Sequence, residues 1–223
     1  MTNVVYLDNN ATTRVDPQVL EAMLPYFSDY YGNPSSMHSF GGGVAAHIRT
    51  AREQLACLIG ASADEIVFTS CGTESDSTAI RAAIESYPAK RHIVTSRVEH
   101  PAVKNLFETL SKKGYRTTFV PVDGQGRLDL DALYDSLSED TAIVSLMWAN
   151  NETGVIFPIE EVSRRVKERG IVFHTDAVQA VGKIPIDLAD TGVDMLSLSG
   201  HKIHGPKGIG ALYLRKGTKF SPF

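Results

Sequence analysis

The chain has 223 residues, of which 43% are hydrophobic and 22% charged, and its formal net charge is −4. This composition is typical of a globular protein with one large domain or two small ones. It has no basic block and no apolar stretch long enough to span a bilayer, so neither nucleic acid nor a membrane is expected as a partner. Cys57 and Cys71 cannot form a disulfide framework. Together with the absence of signal-peptide features in residues 1–5, this predicts a cytoplasmic protein.

The first third of the chain predicts one short strand and two helices. The strand covers residues 4–7. The first helix runs from residue 17 to about residue 30, with Asp16 as its N-cap and Pro17 at its first position. The second helix covers residues 38–59 and has Leu55 and Leu58 on its apolar face.

From residue 66 onward, short apolar strands alternate with amphipathic helices. This alternation predicts an α/β fold with a mostly parallel seven-stranded sheet and helices on both faces. The predicted strands cover residues 66–70, 92–96, 117–122, 142–148, 171–175, 193–198 and 209–214, and the helices 74–86, 102–113, 130–137 and 159–169. Ligands bind such sheets beyond the carboxyl ends of the strands, so the polar residues that follow each strand are the candidates for function.

Two of these strand ends indicate binding of a phosphate and of a flat ring. Gly72 allows close approach of the backbone and Thr73 opens a helix, whose free N–H groups favour an anion. The alternative is a capping box between Thr73 and Asp76 that needs no ligand. His100 follows the next strand, where its imidazole could stack on a ring or shuttle protons, or could be purely structural.

Two further strand ends carry amides and a carboxylate. Asn150 and Asn151 offer donors and acceptors, although they could also form a turn. Asp176 ends a strand that should be buried on both faces, so its carboxylate needs a partner such as a protonated pyridine nitrogen. Gln179 could bind the same ring. The alternative for Asp176 is the N-cap of a following helix.

Lys202 follows the sixth strand of this series, after Ser199, Gly200 and His201. Burial lowers the pKa of a lysine, and an unprotonated lysine can form a Schiff base with a carbonyl group. Pyridoxal 5'-phosphate is bound by a set of four features: a phosphate-binding site, a side chain that stacks on the ring, a partner for the pyridine nitrogen and a lysine that forms a Schiff base. The strand ends of this chain offer candidates for all four.

Seven segments resemble the cysteine desulfurases, above all those of the nitrogen-fixation type. They are residues 6–13, 32–38, 71–76, 98–101, 149–154, 174–179 and 199–202. The resemblance is collinear from residue 4 to the end of the chain. It implies the large domain of a fold-type I pyridoxal-phosphate enzyme, covering residues 16–223, with residues 1–15 as a segment that would pack against a small C-terminal domain.

The resemblance also implies a role for each site residue. Lys202 would hold the cofactor, and His100 would stack on its ring and move protons, so these two would be the catalytic residues. Asp176 would pair with the ring nitrogen. The phenolic-oxygen side of the ring would contact Gln179 and Asn151, and the remaining cofactor-binding residues, mainly at the phosphate, would be Gly72, Thr73, Ser199, Gly200 and His201.

By resemblance, the substrate would be L-cysteine, which is converted to L-alanine while its sulfur passes to an enzyme cysteine and then to an iron–sulfur scaffold protein. The full-length form would be a homodimer. Cys57 and Cys71 do not match the family's sulfur-accepting cysteine, which lies in a later loop. We therefore expect the small domain to lie outside this chain and the chain to be inactive alone.

Two alternatives remain open at this stage. The chain could belong to another enzyme of the same fold, such as an aminotransferase or a selenocysteine lyase, or it could bind the cofactor without turnover. A metal enzyme is not expected, since His201 and His204 are accompanied by no Cys/His quartet and no His-Glu-x-x-His motif.

Overall fold

Seven strands form one sheet in the computed structural model, which describes residues 5–221. The strands are β1 Ile66–Thr69, β2 His92–Ser96, β3 Arg116–Val120, β4 Thr141–Met147, β5 Val172–Asp176, β6 Met195–Ser199 and β7 Gly210–Leu214. Their order is β1-β7-β6-β5-β4-β2-β3, and only the pairs that β7 forms with β6 and β1 are antiparallel. The predicted α/β fold with a mostly parallel seven-stranded sheet is confirmed.

The α-helices match the predicted pattern from residue 38 onward. They are α1 Pro17–Met23, α2 Pro25–Ser28, α3 Ser39–Leu58, α4 Gly72–Ser86, α5 Pro101–Lys112, α6 Leu130–Ser136 and α7 Ile159–Glu168. The single helix predicted for residues 17–30 is wrong, since it is divided at Leu24 and Pro25. Pro25 has no backbone N–H, so it cannot continue the hydrogen-bond ladder of α1. Asp16 caps α1 as predicted, accepting the N–H of Gln18 at 2.8 Å.

The strand predicted for residues 4–7 is not found in residues 5–7, while Val4 lies outside the described residues. The segment that follows is held instead by the loop after β6. Thr13 donates its N–H to His201 O at 2.9 Å, and Asp16 donates its N–H to His204 O at 3.0 Å. This segment therefore lies beside the carboxyl end of β6.

Helix α3 ends at a glycine, as its sequence suggests. Gly60 adopts a left-handed conformation with φ of 65°, and the following N–H, of Ala61, bonds Ala56 O at 2.9 Å. The expectation that Leu58 lies on the buried face is wrong, because its side chain is 48% exposed.

Helices cover both faces of the sheet. Successive side chains of β5 point to opposite faces of the sheet, so Val172, His174 and Asp176 share one face. On that face Val172 packs with the apolar side chains of α4 and α5. Phe173 points to the opposite face and packs with α7. Because the parallel strands end at one edge, the residues that follow β2, β4, β5 and β6 come together there.

Within the described residues, no helix combines the length and apolar character needed to cross a membrane. The same part of the chain contains no group of three or more His, Cys, Asp or Glu side chains placed to hold a metal ion.

Candidate active site

A cavity of about 200 Å³ opens at the carboxyl ends of the parallel strands. Nine of the ten cofactor-binding residues predicted from the sequence line it, namely Gly72, Thr73, His100, Asn151, Asp176, Gln179, Ser199, His201 and Lys202. Gly200 does not. A Cβ at Gly200 would come 2.7 Å from Ile209 Cγ2, so the glycine at this position allows close packing against the loop before β7.

The N-terminus of α4 forms one end of the cavity. The N-cap of this helix is Cys71, and no side chain caps its first turn. The capping box suggested for Thr73 and Asp76 is therefore wrong. The N–H groups of the first turn have no partner within the helix and carry the positive end of its dipole. Opposite them, the hydroxyl of Ser199 is buried and has no hydrogen-bond partner among the described residues.

His100 has a structural role and also lines the cavity. It is the N-cap of α5, and its Nδ1 accepts the N–H of Ala102 at 3.2 Å. In the neutral ring, this bond leaves the proton on Nε2. The cap thus fixes both the position of the ring and its tautomer.

The two adjacent asparagines have different surroundings. Asn150 forms the turn that was the alternative for this segment, since its Oδ1 accepts the N–H groups of Glu152 at 3.0 Å and Thr153 at 2.9 Å. Asn151 lines the cavity. Its carbonyl oxygen accepts the side-chain amide of Asn10 at 3.3 Å, so the N-terminal segment crosses the cavity near this residue.

The carbonyl oxygen of Asn10 connects two of the predicted site residues. It accepts the amide of Gln179 at 2.7 Å, and it also accepts the amine of Lys202. Lys202 ends a short 3₁₀ turn, Gly200–Lys202, directly after β6. Burial, followed by the nearby charge of Lys183, lowers the pKa of the Lys202 amine. A lowered pKa makes the unprotonated, nucleophilic form of the amine easier to reach.

Asp176 is 6% exposed and lines the cavity. Its Oδ1 accepts the N–H of Val178 at 3.0 Å, but no helix follows, so the alternative of a helix N-cap is wrong. Burial raises the pKa of Asp176, while the Val178 N–H and the charges of His100 and Lys202 oppose that rise. A cationic partner inside the cavity would hold this carboxyl in its ionised form.

The sequence interpretation missed a second carboxyl group in the cavity. Asp76 also lines the cavity and is only 1% exposed. Its position four residues after Gly72 places both residues on one face of α4, and this helical spacing is the signal that could have revealed it. Cys71 lines the cavity as well, whereas Cys57 is exposed near the end of α3.

The family of this chain follows from its match to a family profile. The profile described as "Aminotransferase class-V" matches residues 5–223. The chain belongs to the class-V aminotransferase family. The region matched by the profile includes all seven strands of the sheet and every residue that lines the cavity.

Similar proteins are named cysteine desulfurases. A "Cysteine desulfurase" of Trichormus azollae is 62% identical over 220 residues, which are 99% of this chain and 55% of that protein. "Cysteine desulfurase NifS" of Azotobacter vinelandii is 57% identical over 219 residues, covering 98% of this chain and 54% of that protein. The chain spans about half the length of the curated relatives it matches.

Solved structures show the same fold. A "NIFS-LIKE PROTEIN" is 46% identical with a TM-score of 0.95, and the match covers 98% of this chain and 61% of that one. "SspA in complex with cysteine" is 38% identical with a TM-score of 0.94, covering 99% of this chain and 64% of that one. The recognition of a cysteine-desulfurase-like chain from its motifs is confirmed.

Proposed function

We propose that this chain is the cofactor-binding part of a pyridoxal-phosphate-dependent cysteine desulfurase, which takes L-cysteine as its substrate. The observation that carries the proposal is the cavity itself. It brings Lys202, with its lowered amine pKa, and His100 together with the buried carboxyl of Asp176 at one sheet edge. The names of the similar proteins support cysteine as the substrate.

The described residues fit the cofactor at both ends. At one end, the uncapped N-terminus of α4 and the unpartnered hydroxyl of Ser199 suit a phosphate group. A Cβ on Gly72 would come 2.7 Å from Val178, so the glycine leaves open a space that any other residue would fill. At the other end, the buried carboxyl of Asp176 suits a protonated ring nitrogen.

Each side chain then has a task that its contacts support. The Lys202 amine would hold the cofactor covalently, and the Asp176 carboxylate would keep the ring nitrogen charged. The His100 ring, fixed through its Nδ1, would stack on the cofactor and hold or move a proton at Nε2. Thr73 and His201 would assist Gly72 and Ser199 at the phosphate, while Asn151 and Gln179 would contact the ring's oxygen side. When bound, pyridoxal phosphate supplies the electron sink for bond cleavage in an amino acid.

Delivery of the sulfur to an iron–sulfur scaffold protein completes the proposed function. Neither cysteine of the described residues is placed to carry it. Cys57 is exposed outside the cavity, and Cys71 is fixed as the N-cap of α4. We therefore propose that sulfur transfer needs a cysteine that the described residues do not contain.

Borohydride reduction tests the central assignment. The purified chain is loaded with pyridoxal phosphate, reduced and digested, and the pyridoxyl group is expected on the peptide that contains Lys202. Lys183 is the matched competitor, because its charge is near enough to lower the pKa of Lys202. Lys202→Gln should abolish the label and Lys183→Gln should retain it. Label on Lys183 or elsewhere, with none on Lys202, would refute the assignment.

We also propose that the protein forms a homodimer through residues 20–40. Helices α1 and α2 bury no side chain, and large apolar groups remain exposed there, including Phe27 at 74%, Tyr31 at 74% and Met37 at 104%. A cluster of this kind is typical of an interaction surface. Sedimentation equilibrium should give twice the 24.3 kDa chain mass, and Phe27→Asp should return the monomer. A wild-type monomer at all concentrations would contradict the proposal.

A further inference from the structure

The side-chain amide of Gln179 has two hydrogen-bond partners at the rim of the cavity. Its Nε2 donates to the carbonyl oxygen of Asn10 at 2.7 Å. Its Oε1 accepts the amine of Lys183, four residues further along the chain. Gln179 lines the cavity, whereas Lys183 lies in a second cavity of about 520 Å³, which Asn10 and Lys202 also line. Lys183 therefore contacts the lining of the proposed cofactor site through Gln179.

These two contacts determine which end of the amide faces which neighbour. An ammonium group can only donate a hydrogen bond, and a carbonyl oxygen can only accept one. If the amide were reversed, its NH₂ group would face the Lys183 ammonium and its oxygen would face the Asn10 carbonyl, so both contacts would be repulsive. The NH₂ group carries two hydrogens, of which Asn10 binds one. The other remains available as a donor to a group inside the cavity.

The turn around Gly182 places Lys183 beside the site. Gly182 has φ of 74°, a left-handed conformation that favours glycine, and a Cβ there would come 3.0 Å from Ile203 Cγ2. The turn therefore packs closely against the residue that follows Lys202. The N–H of Lys183 is bonded to Ala180 O at 3.0 Å. Among the described residues the Lys183 amine forms no ion pair with a carboxylate, so an ion pair does not explain its position.

We propose that Lys183 is a positioning residue, which holds the Gln179 amide so that an N–H group, and not the oxygen, faces the oxygen substituent of the cofactor's ring. This inference rests on the proposed binding of pyridoxal phosphate, whose ring carries a phenolic oxygen. A donor at this point stabilises the ionised form of that oxygen, because hydrogen bonds to charged acceptors are the stronger ones. Separately, the charge of Lys183 lowers the pKa of the Lys202 amine. That second effect does not depend on the ring's oxygen.

A comparison of two ligands isolates the contribution of the ring's oxygen. Pyridoxal phosphate and 3-deoxypyridoxal phosphate, which lacks the phenolic oxygen, are titrated into each variant at one pH, and the ratio of their dissociation constants is measured. Effects of the Lys183 charge on the phosphate or on Lys202 are common to both ligands and cancel in this ratio. Lys183→Met should lower the preference for pyridoxal phosphate by about fivefold, the size of one hydrogen bond. Lys183→Arg keeps a charged donor and should retain most of the preference.

Two further variants show whether the lysine acts through the amide. Gln179→Leu should lose the same preference, and the addition of Lys183→Met to Gln179→Leu should change the ratio no further. Lys207→Met is the matched control, because Lys207 is also exposed and its charge acts on His201, but it does not line the cavity. Its ratio should equal that of the wild-type chain.

Several results would overturn the inference while leaving the proposed function intact. Equal losses of affinity for both ligands in Lys183→Met would show that the lysine only attracts the anionic phosphate. An unchanged ratio in Lys183→Met, an equal change in Lys207→Met, or a further change in the double variant would also contradict it. Failure of the wild-type chain to bind pyridoxal phosphate at Lys202 would overturn both proposals. If Gln179→Leu does not fold, the comparison of Lys183→Met with Lys183→Arg decides.

Discussion

Replacement of Gly72 by alanine should damage both the fold and the cofactor site. The added Cβ would come 2.7 Å from Val178 Cγ2, about 0.7 Å inside the 3.4 Å at which ordinary contact begins. Val178 is β-branched and therefore stiff, and its N–H is bound to Asp176 Oδ1 at 3.0 Å. Relief of the clash must therefore move either the start of α4 or the Asp176 carboxyl.

The expected size of the effect follows from two opposing terms. Overpacking costs about 1–3 kcal/mol, and the change from glycine to alanine in a helix returns about 0.5–1 kcal/mol. We expect Gly72→Ala to lower the free energy of unfolding by about 1–2 kcal/mol, or roughly 2–8 °C in melting temperature. Affinity for pyridoxal phosphate should fall at least about tenfold, which is about 1.4 kcal/mol.

Gly43→Ala is the matched control for this change. Gly43 is an exposed residue of α3, and a Cβ added there would meet no atom within 4 Å, so alanine should stabilise the chain by about 0.5–1 kcal/mol. Urea denaturation without cofactor measures the stability of both variants, and fluorescence titration measures cofactor binding. The reasoning is refuted if Gly72→Ala gains stability as Gly43→Ala does, or if it binds the cofactor as tightly as wild type.

Two further predictions concern Glu99 and turnover. The pKa of Glu99 is about 8 in the folded state, so its stabilising contribution is present below the ordinary glutamate pKa of 4.5 and is lost as the pH rises toward 8. Glu99→Gln should therefore flatten the decline in unfolding free energy over this range, measured by urea denaturation at several pH values, and an unchanged slope would contradict the assigned pKa. The 223-residue chain, loaded with pyridoxal phosphate, should release alanine and sulfide from L-cysteine at least about 100-fold more slowly than the Azotobacter vinelandii relative, because Cys71 is fixed as a helix cap. Comparable rates would identify Cys71 as a sulfur acceptor.

The sheet was predictable because its strands are short apolar runs separated by periodic helices. The errors in the positions of helices and strands lie in the first 30 residues, where Pro25 divides a periodic helical pattern and where the apolar residues 5–7 form no strand. Residues 5–7 pair with no strand of the sheet. The segment that follows them is fixed by hydrogen bonds to His201 and His204, which no local pattern could reveal.

The site was predictable to the extent that its residues directly follow strands. Lys202, Asp176 and His100 fulfil this condition, since each lies where a buried strand ends or a helix begins. For Asp76 the sequence offers only the alternative of a capping box with Thr73, since its approach to Asp176 depends on how α4 packs across the sheet. Only the fold brings these two carboxyls together.

The cavity has opposite electrostatic character at its two ends. Asp76 and Asp176 form an acidic floor whose burial raises both pKa values, while the N-terminus of α4 provides uncapped N–H groups and a positive dipole end. A buried carboxylate or a buried unpaired N–H group costs free energy when it has no partner, so each end of the cavity favours a ligand group of opposite charge. A ligand with an anionic group at one end and a cationic group at the other satisfies both, and only in one orientation. For the proposed cofactor, that orientation would direct the phosphate to Gly72 and the ring nitrogen to the carboxyls, in agreement with the roles proposed for Lys202 and His100.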